Sequence, residues 1–123
     1  MDTRLYNSLR KSIIFKDVSE VNFNEIVNEI PFRILDYKKN EILFFEGDDC
    51  NSIGIVLDGE VEVNKGLTIG KKVNITKIKA GDMFAEAVVF SQYHKFPATI
   101  EASSDSKVLF ISRENIVKMC SKY

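Results

Sequence analysis

The stretch FAEAVVFSQYHKFPATIEA, residues 84–102, holds most of the side chains in this chain whose types and spacing bear on binding chemistry. Phe84 offers an aromatic face, Ala85 a small neighbour, and Glu86 a carboxylate at the start of the apolar run Ala87, Val88, Val89 and Phe90. Such a carboxylate either accepts ligand hydroxyls or caps backbone N–H groups where a short helix begins. Lys95 is the only lysine of the stretch, which has no arginine, and it precedes Phe96, Ala98 and Thr99. A lysine is a point charge without a planar fork, so it holds an anion loosely, and Lys95 reads as a solvated loop charge rather than a phosphate ligand. Phe84, Phe90 and Phe96 are expected in the core or as pocket wall, where an aromatic ligand would stack. His94, the only histidine, lies in the polar loop SQYHK with no catalytic partner, so it reads as a loop residue rather than a base or metal ligand.

Those residues need a scaffold, and length and composition bound its kind. A chain of 123 residues suits one domain and buries roughly 65% of its unfolded surface on folding, enough for a core without staples. Apolar content of 45% with 28% charged residues is that of a globular protein and argues against disorder. Seventeen basic and eighteen acidic side chains leave a net charge of -1, so no overall field draws this chain to nucleic acid or to a membrane surface. Cys50 and Cys120 lie far apart, with no Cys-x-x-Cys or Cys/His spacing, and read as reduced thiols rather than zinc ligands. The apolar runs are far shorter than a membrane span and the N-terminus lacks a signal-peptide core, which points to the cytoplasm.

Hydrophobic period divides the chain in three. In DVSEVNFNEIVNEIP, Phe23, Ile26, Val27 and Ile30 recur at helical spacing, predicting a helix over about 18–29 that ends before Pro31. From 32 to 112 the runs FRILDY, EILFFE, SIGIVLD, EVEVN, KVNITKI, ATIEA and KVLFIS are short, β-branched or aromatic, and separated by turn residues, predicting an antiparallel sandwich or small barrel. Asn40, Gly47, Gly59, Gly66, Gly70 and Gly81 are candidate left-handed turn positions, and a short helix is expected to start near 86. Lys38-Lys39 and Lys71-Lys72 read as turn and edge-strand charges. After Ser112, a candidate N-cap, Ile116, Val117 and Cys120 begin an apolar helical stripe over 113–123. A chain that stops two turns into such a helix reads as part of a longer protein.

Together, YKKNEILFFEGD, LDGEVEV, IKAGDMFAE, ATIEA and KVLFISRENI resemble the cyclic-nucleotide-binding domain, specifically the sensor half of the Crp/Fnr family of bacterial transcription regulators. The resemblance runs from about Ile14 to Tyr123. It implies a mainly β fold, a jelly-roll-like β-roll (double-stranded β-helix) with short flanking helices, making 1–123 one effector domain. The family's pocket motif is Phe-Gly-Glu, an apolar helical turn, then an arginine before an Ala-Thr strand. Its glycine admits the backbone to a cyclic phosphate, its glutamate binds the ribose hydroxyl and its arginine pairs with the phosphate. The resemblance therefore implies a ligand site at Phe84, Ala85, Glu86, Ala87, Lys95, Phe96, Ala98 and Thr99. Here Ala85 replaces the glycine, Phe96 stands where the arginine would, and Lys95 is the nearest cation.

The expected function is sensing of an unidentified small molecule other than cyclic AMP, with no catalysis and no cofactor. The resemblance further implies a homodimer, formed by a helix after the barrel, and DNA binding by a helix-turn-helix part, both outside this chain. The alternative is a ligand-free structural or interaction β-roll whose pocket its own side chains fill, Phe96 among them. A metal enzyme of the same barrel class would need clustered histidines, and the chain has one.

Overall fold

The computed structural model describes residues 30–66 and 72–122; the helix expected over 18–29 lies outside them. Eight strands follow in order: β1 (Arg33–Tyr37), β2 (Ile42–Phe44), β3 (Ser52–Asp58), β4 (Glu60–Gly66), β5 (Lys72–Lys79), β6 (Met83–Phe84), β7 (Thr99–Ala102) and β8 (Ser106–Ser112). One-turn α1 (Glu86–Val89) falls between β6 and β7, and α2 (Arg113–Lys122) follows β8. The strands form two antiparallel sheets, ordered β1-β8-β3-β6 and β2-β7-β4-β5. This is the mainly β roll that the strand spacing and the resemblance predicted.

The burial patterns follow from what covers each strand. β4 alternates, with Val61 buried and Glu62 only partly so, as a strand with one face against the core should. β3 and β8 are instead buried on both faces, from Ile53 to Val56 and from Val108 to Ile111. α1 packs against β3 and α2 against β8, which accounts for the continuous apolar runs in the central strands. Aromatic rings join the two sheets. Phe110 of β8 meets Phe44 of β2 edge to face at 5.8 Å and Phe84 of β6 at 6.1 Å, and Phe44 stacks on Phe96 at 4.3 Å.

Turn chemistry sets the chain reversals. Asn40, Gly47, Gly59 and Gly81 have positive φ as expected, whereas Gly66 lies in β4 and has none. The Ser112 hydroxyl accepts the Asn115 N–H at 3.2 Å, capping α2 as its sequence position suggested. Exposed Lys77 and Lys79 lie along β5, an edge strand, where charge discourages pairing with other chains.

Candidate ligand-binding site

The segment Gly81–Val88 is fixed in place before any ligand is considered. Val56 N–H donates to Asp82 O at 3.0 Å, Gly81 N–H donates to Val56 O at 2.8 Å, and β6 pairs Phe84 with Gly54. A side chain at Gly54 would overlap the outer end of the Phe84 ring, so this glycine is what lets the ring lie against β3. Phe84 is thereby buried against Phe110, and the chain emerges next to the open side of β4 and β5.

Ala85 makes the turn. Its φ of 71° and ψ of 5° are left-handed, a conformation that costs an L-residue about 1–2 kcal/mol and glycine almost nothing. The alanine therefore holds a backbone shape that glycine adopts almost freely. Its carbonyl accepts the N–H groups of Val88 at 3.1 Å and Val89 at 2.9 Å, closing α1, and no side chain caps the helix. Glu86 is the first residue of α1, Ala87 is exposed, and Val89 is fully buried. Phe90, expected in the core or pocket wall, instead ends α1 at 48% exposure, with the Arg113 guanidinium 5.8 Å from its ring centroid.

A cavity of about 450 Å³ opens between this segment and the two strands. Val63 of β4 and Thr76 and Ile78 of β5 form one wall; Gly81, Asp82, Met83, Phe84, Ala85, Ala87 and Val88 form the other. The volume suits a small metabolite. Asp82 is the one ionisable group among these lining residues, and no described cation is among them.

The remaining residues singled out by sequence stand elsewhere. Lys95 Nζ lies 2.7 Å from Asp49 Oδ1, on a short bridge between two loops. The Lys95 hydrogen bond and charge hold the Asp49 carboxyl below its ordinary range. The loops are zipped by Gly47 N–H to Phe96 O at 2.8 Å, Phe96 N–H to Asp48 O at 3.0 Å, and Cys50 N–H to His94 O at 2.6 Å. Phe96 and Ala98 are buried, Phe96 stacked on Phe44, and the Thr99 hydroxyl accepts the Glu46 N–H at 3.0 Å. Of the residues proposed from sequence, Phe84, Ala85 and Ala87 line the cavity, whereas Lys95, Phe96, Ala98 and Thr99 are not among its lining residues.

Sequence reasoning did not name Val63, Thr76, Ile78, Gly81, Asp82, Met83 or Val88 as site residues. The available signal was the alternation of β4 and β5, which places Val63 opposite Thr76 and Val61 opposite Ile78. Alternation identifies a shared face but not what that face looks onto.

The sequence model of the cyclic nucleotide-binding domain matches residues 34–123, most of the chain. No curated protein sequence matches it. Among solved structures, the sensor domain of the transcriptional regulator DNR from Pseudomonas aeruginosa is similar with a TM-score of 0.82 at 18% identity, covering 98% of this chain and 81% of that one. A transcriptional regulator from Thermotoga maritima gives 0.72 at 24%, covering 82% and 77%. A Silicibacter pomeroyi protein described as a cAMP-binding regulatory protein gives 0.80 at 20%, with 99% of this chain covered. This chain spans 55% of the length of that protein. At these identities the likeness is one of fold.

Proposed function

We propose, from the premise that the chain belongs to the cyclic nucleotide-binding domain family, that it is the small-molecule-sensing domain of a Crp/Fnr-type bacterial transcription regulator whose effector is not cyclic AMP. The observation that carries this reading is the cavity beside Ala85, a pocket of metabolite size in which no described lining residue is a cation. A buried phosphate without its paired cation forfeits about 2–5 kcal/mol, roughly thirty-fold to several thousand-fold in affinity. The nearest cation by sequence, Lys95, is engaged with Asp49.

Sensing needs a route from the pocket to the rest of the protein. α1 supplies lining residues to the cavity, and its C-terminal Phe90 carries the Arg113 guanidinium of α2. A ligand with different affinity for two positions of α1 would bias α2 through that contact, by at most the difference in binding free energy. In this reading the signal passes to a homodimer contact and a DNA-binding part in the longer protein, in the cytoplasm, and the domain is a sensor and not a catalyst. Among the described residues no helix is long and apolar enough to cross a membrane. The alternative, a β-roll that fills its own pocket with Phe96, is weakened by the place of that ring, which stacks on Phe44 outside the cavity lining.

Calorimetric titration with cyclic AMP tests the proposal, and heat consistent with low-micromolar binding would refute it. A thermal-shift series with aromatic and aliphatic metabolites is expected to raise the melting temperature where cyclic AMP does not, because a ligand that binds only the folded state stabilises it.

A further inference from the structure

Resting on the reading of the 450 Å³ cavity as an effector site, we infer that it selects by charge: it admits an uncharged or singly cationic, largely apolar molecule and rejects anions, with Asp82 as the discriminating group. Seven of its ten described lining residues, Val63, Ile78, Met83, Phe84, Ala85, Ala87 and Val88, present apolar side chains. The other described lining residues are Gly81, Thr76 and Asp82, the last two a hydroxyl and a carboxylate.

Among the described side chains, no nearby cation offsets that carboxylate. Lys77 and Lys79 alternate with Thr76 and Ile78 along β5 and so belong to the opposite face, where Lys77 lies 3.9 Å from Glu60. Lys95 is committed to Asp49 at 2.7 Å. Asp82 itself accepts one long hydrogen bond, from Lys79 N–H at 3.3 Å, and has no ion-pair partner among the described residues. Its charge is therefore free to act on whatever enters. α1, at four residues, is too short to supply an opposing dipole of any size.

Three probes with one skeleton separate charge from shape: 3-phenylpropan-1-ol, 3-phenylpropylamine and 3-phenylpropanoate, titrated calorimetrically into the whole chain at low salt. The alcohol and the amine are expected to bind, and the carboxylate to bind at least about tenfold more weakly than the amine, an electrostatic difference of ordinary size near a protein surface. Asp82→Asn keeps a side-chain acceptor for Lys79 N–H and should abolish the amine-over-carboxylate preference. Raising the salt on the unaltered protein should narrow the same preference, which tests the inference without a variant. Equal or tighter binding of the carboxylate by the unaltered protein, or discrimination that survives both Asp82→Asn and salt, overturns the charge selection alone. Failure of all three probes, the neutral alcohol included, overturns the cavity as a site for this ligand class and the charge selection with it.

Discussion

Exchanging Ala85 for glycine should stabilise this protein, although the same exchange almost anywhere else in a helix or strand weakens it. Ala85 holds φ 71°, ψ 5°. A left-handed alanine bears a penalty of about 1–2 kcal/mol that glycine escapes. Against this stand the greater freedom of an unfolded glycine, about 0.4–1 kcal/mol, and the loss of a half-buried methyl, about 0.4 kcal/mol. The balance favours Ala85→Gly by about 0.5 kcal/mol, or roughly 2–3 °C in Tm for a chain of this size. Ala87→Gly supplies the control, since it lies two residues further on, exposed and inside α1, where glycine costs about 0.5–1 kcal/mol. Urea titrations of both variants against the parent, with unchanged m-values, measure the contrast. If Ala85→Gly is as destabilising as Ala87→Gly, the left-handed turn at Ala85 is refuted. Ala85→Gly is also expected to leave cyclic AMP binding absent, because it restores a backbone and not a cation.

Three further outcomes are expected. Gly54→Ala should lose about 2–3 kcal/mol, seen as a lower urea midpoint, because its Cβ displaces the Phe84 ring from the core. Lys95→Ala should leave both Tm and probe affinity within error, since the Lys95–Asp49 pair is solvent-exposed and lies outside the cavity lining; a marked loss of affinity for an anionic ligand would place Lys95 in the site. Burial pushes the Cys50 thiol up, so the folded state holds its proton after the unfolded chain has released it. That contribution is complete below about pH 8.5 and is lost as pH rises through the folded value, so stability should fall more steeply at alkaline pH than in Cys50→Ala, as denaturation across pH 7–10 would measure.

The order of elements was legible in the sequence because it depends on local chemistry. Alternating β-branched runs, punctuated by Asn40, Gly47, Gly59 and Gly81, select strands and turns within a few residues of themselves, and Ser112 caps the helix next to it. The pocket segment was legible for the same reason, since FAEAVV is contiguous and its turn and helix are made among neighbours. What the sequence could not decide was which distant side chains share a space. Lys95 is ten residues from Ala85, yet its partner is Asp49, because the pairing of two loops aims it there. Phe96 reads as pocket wall until β2 brings Phe44 against it, and Phe90 reads as core until α2 arrives with Arg113. The lining of the cavity was decided last, by the Val63–Thr76 pair on one wall and Asp82 and its neighbours on the other. The cavity walls come from consecutive elements, β4 to α1, but their meeting is set by the packing of two sheets rather than by any residue's own preference.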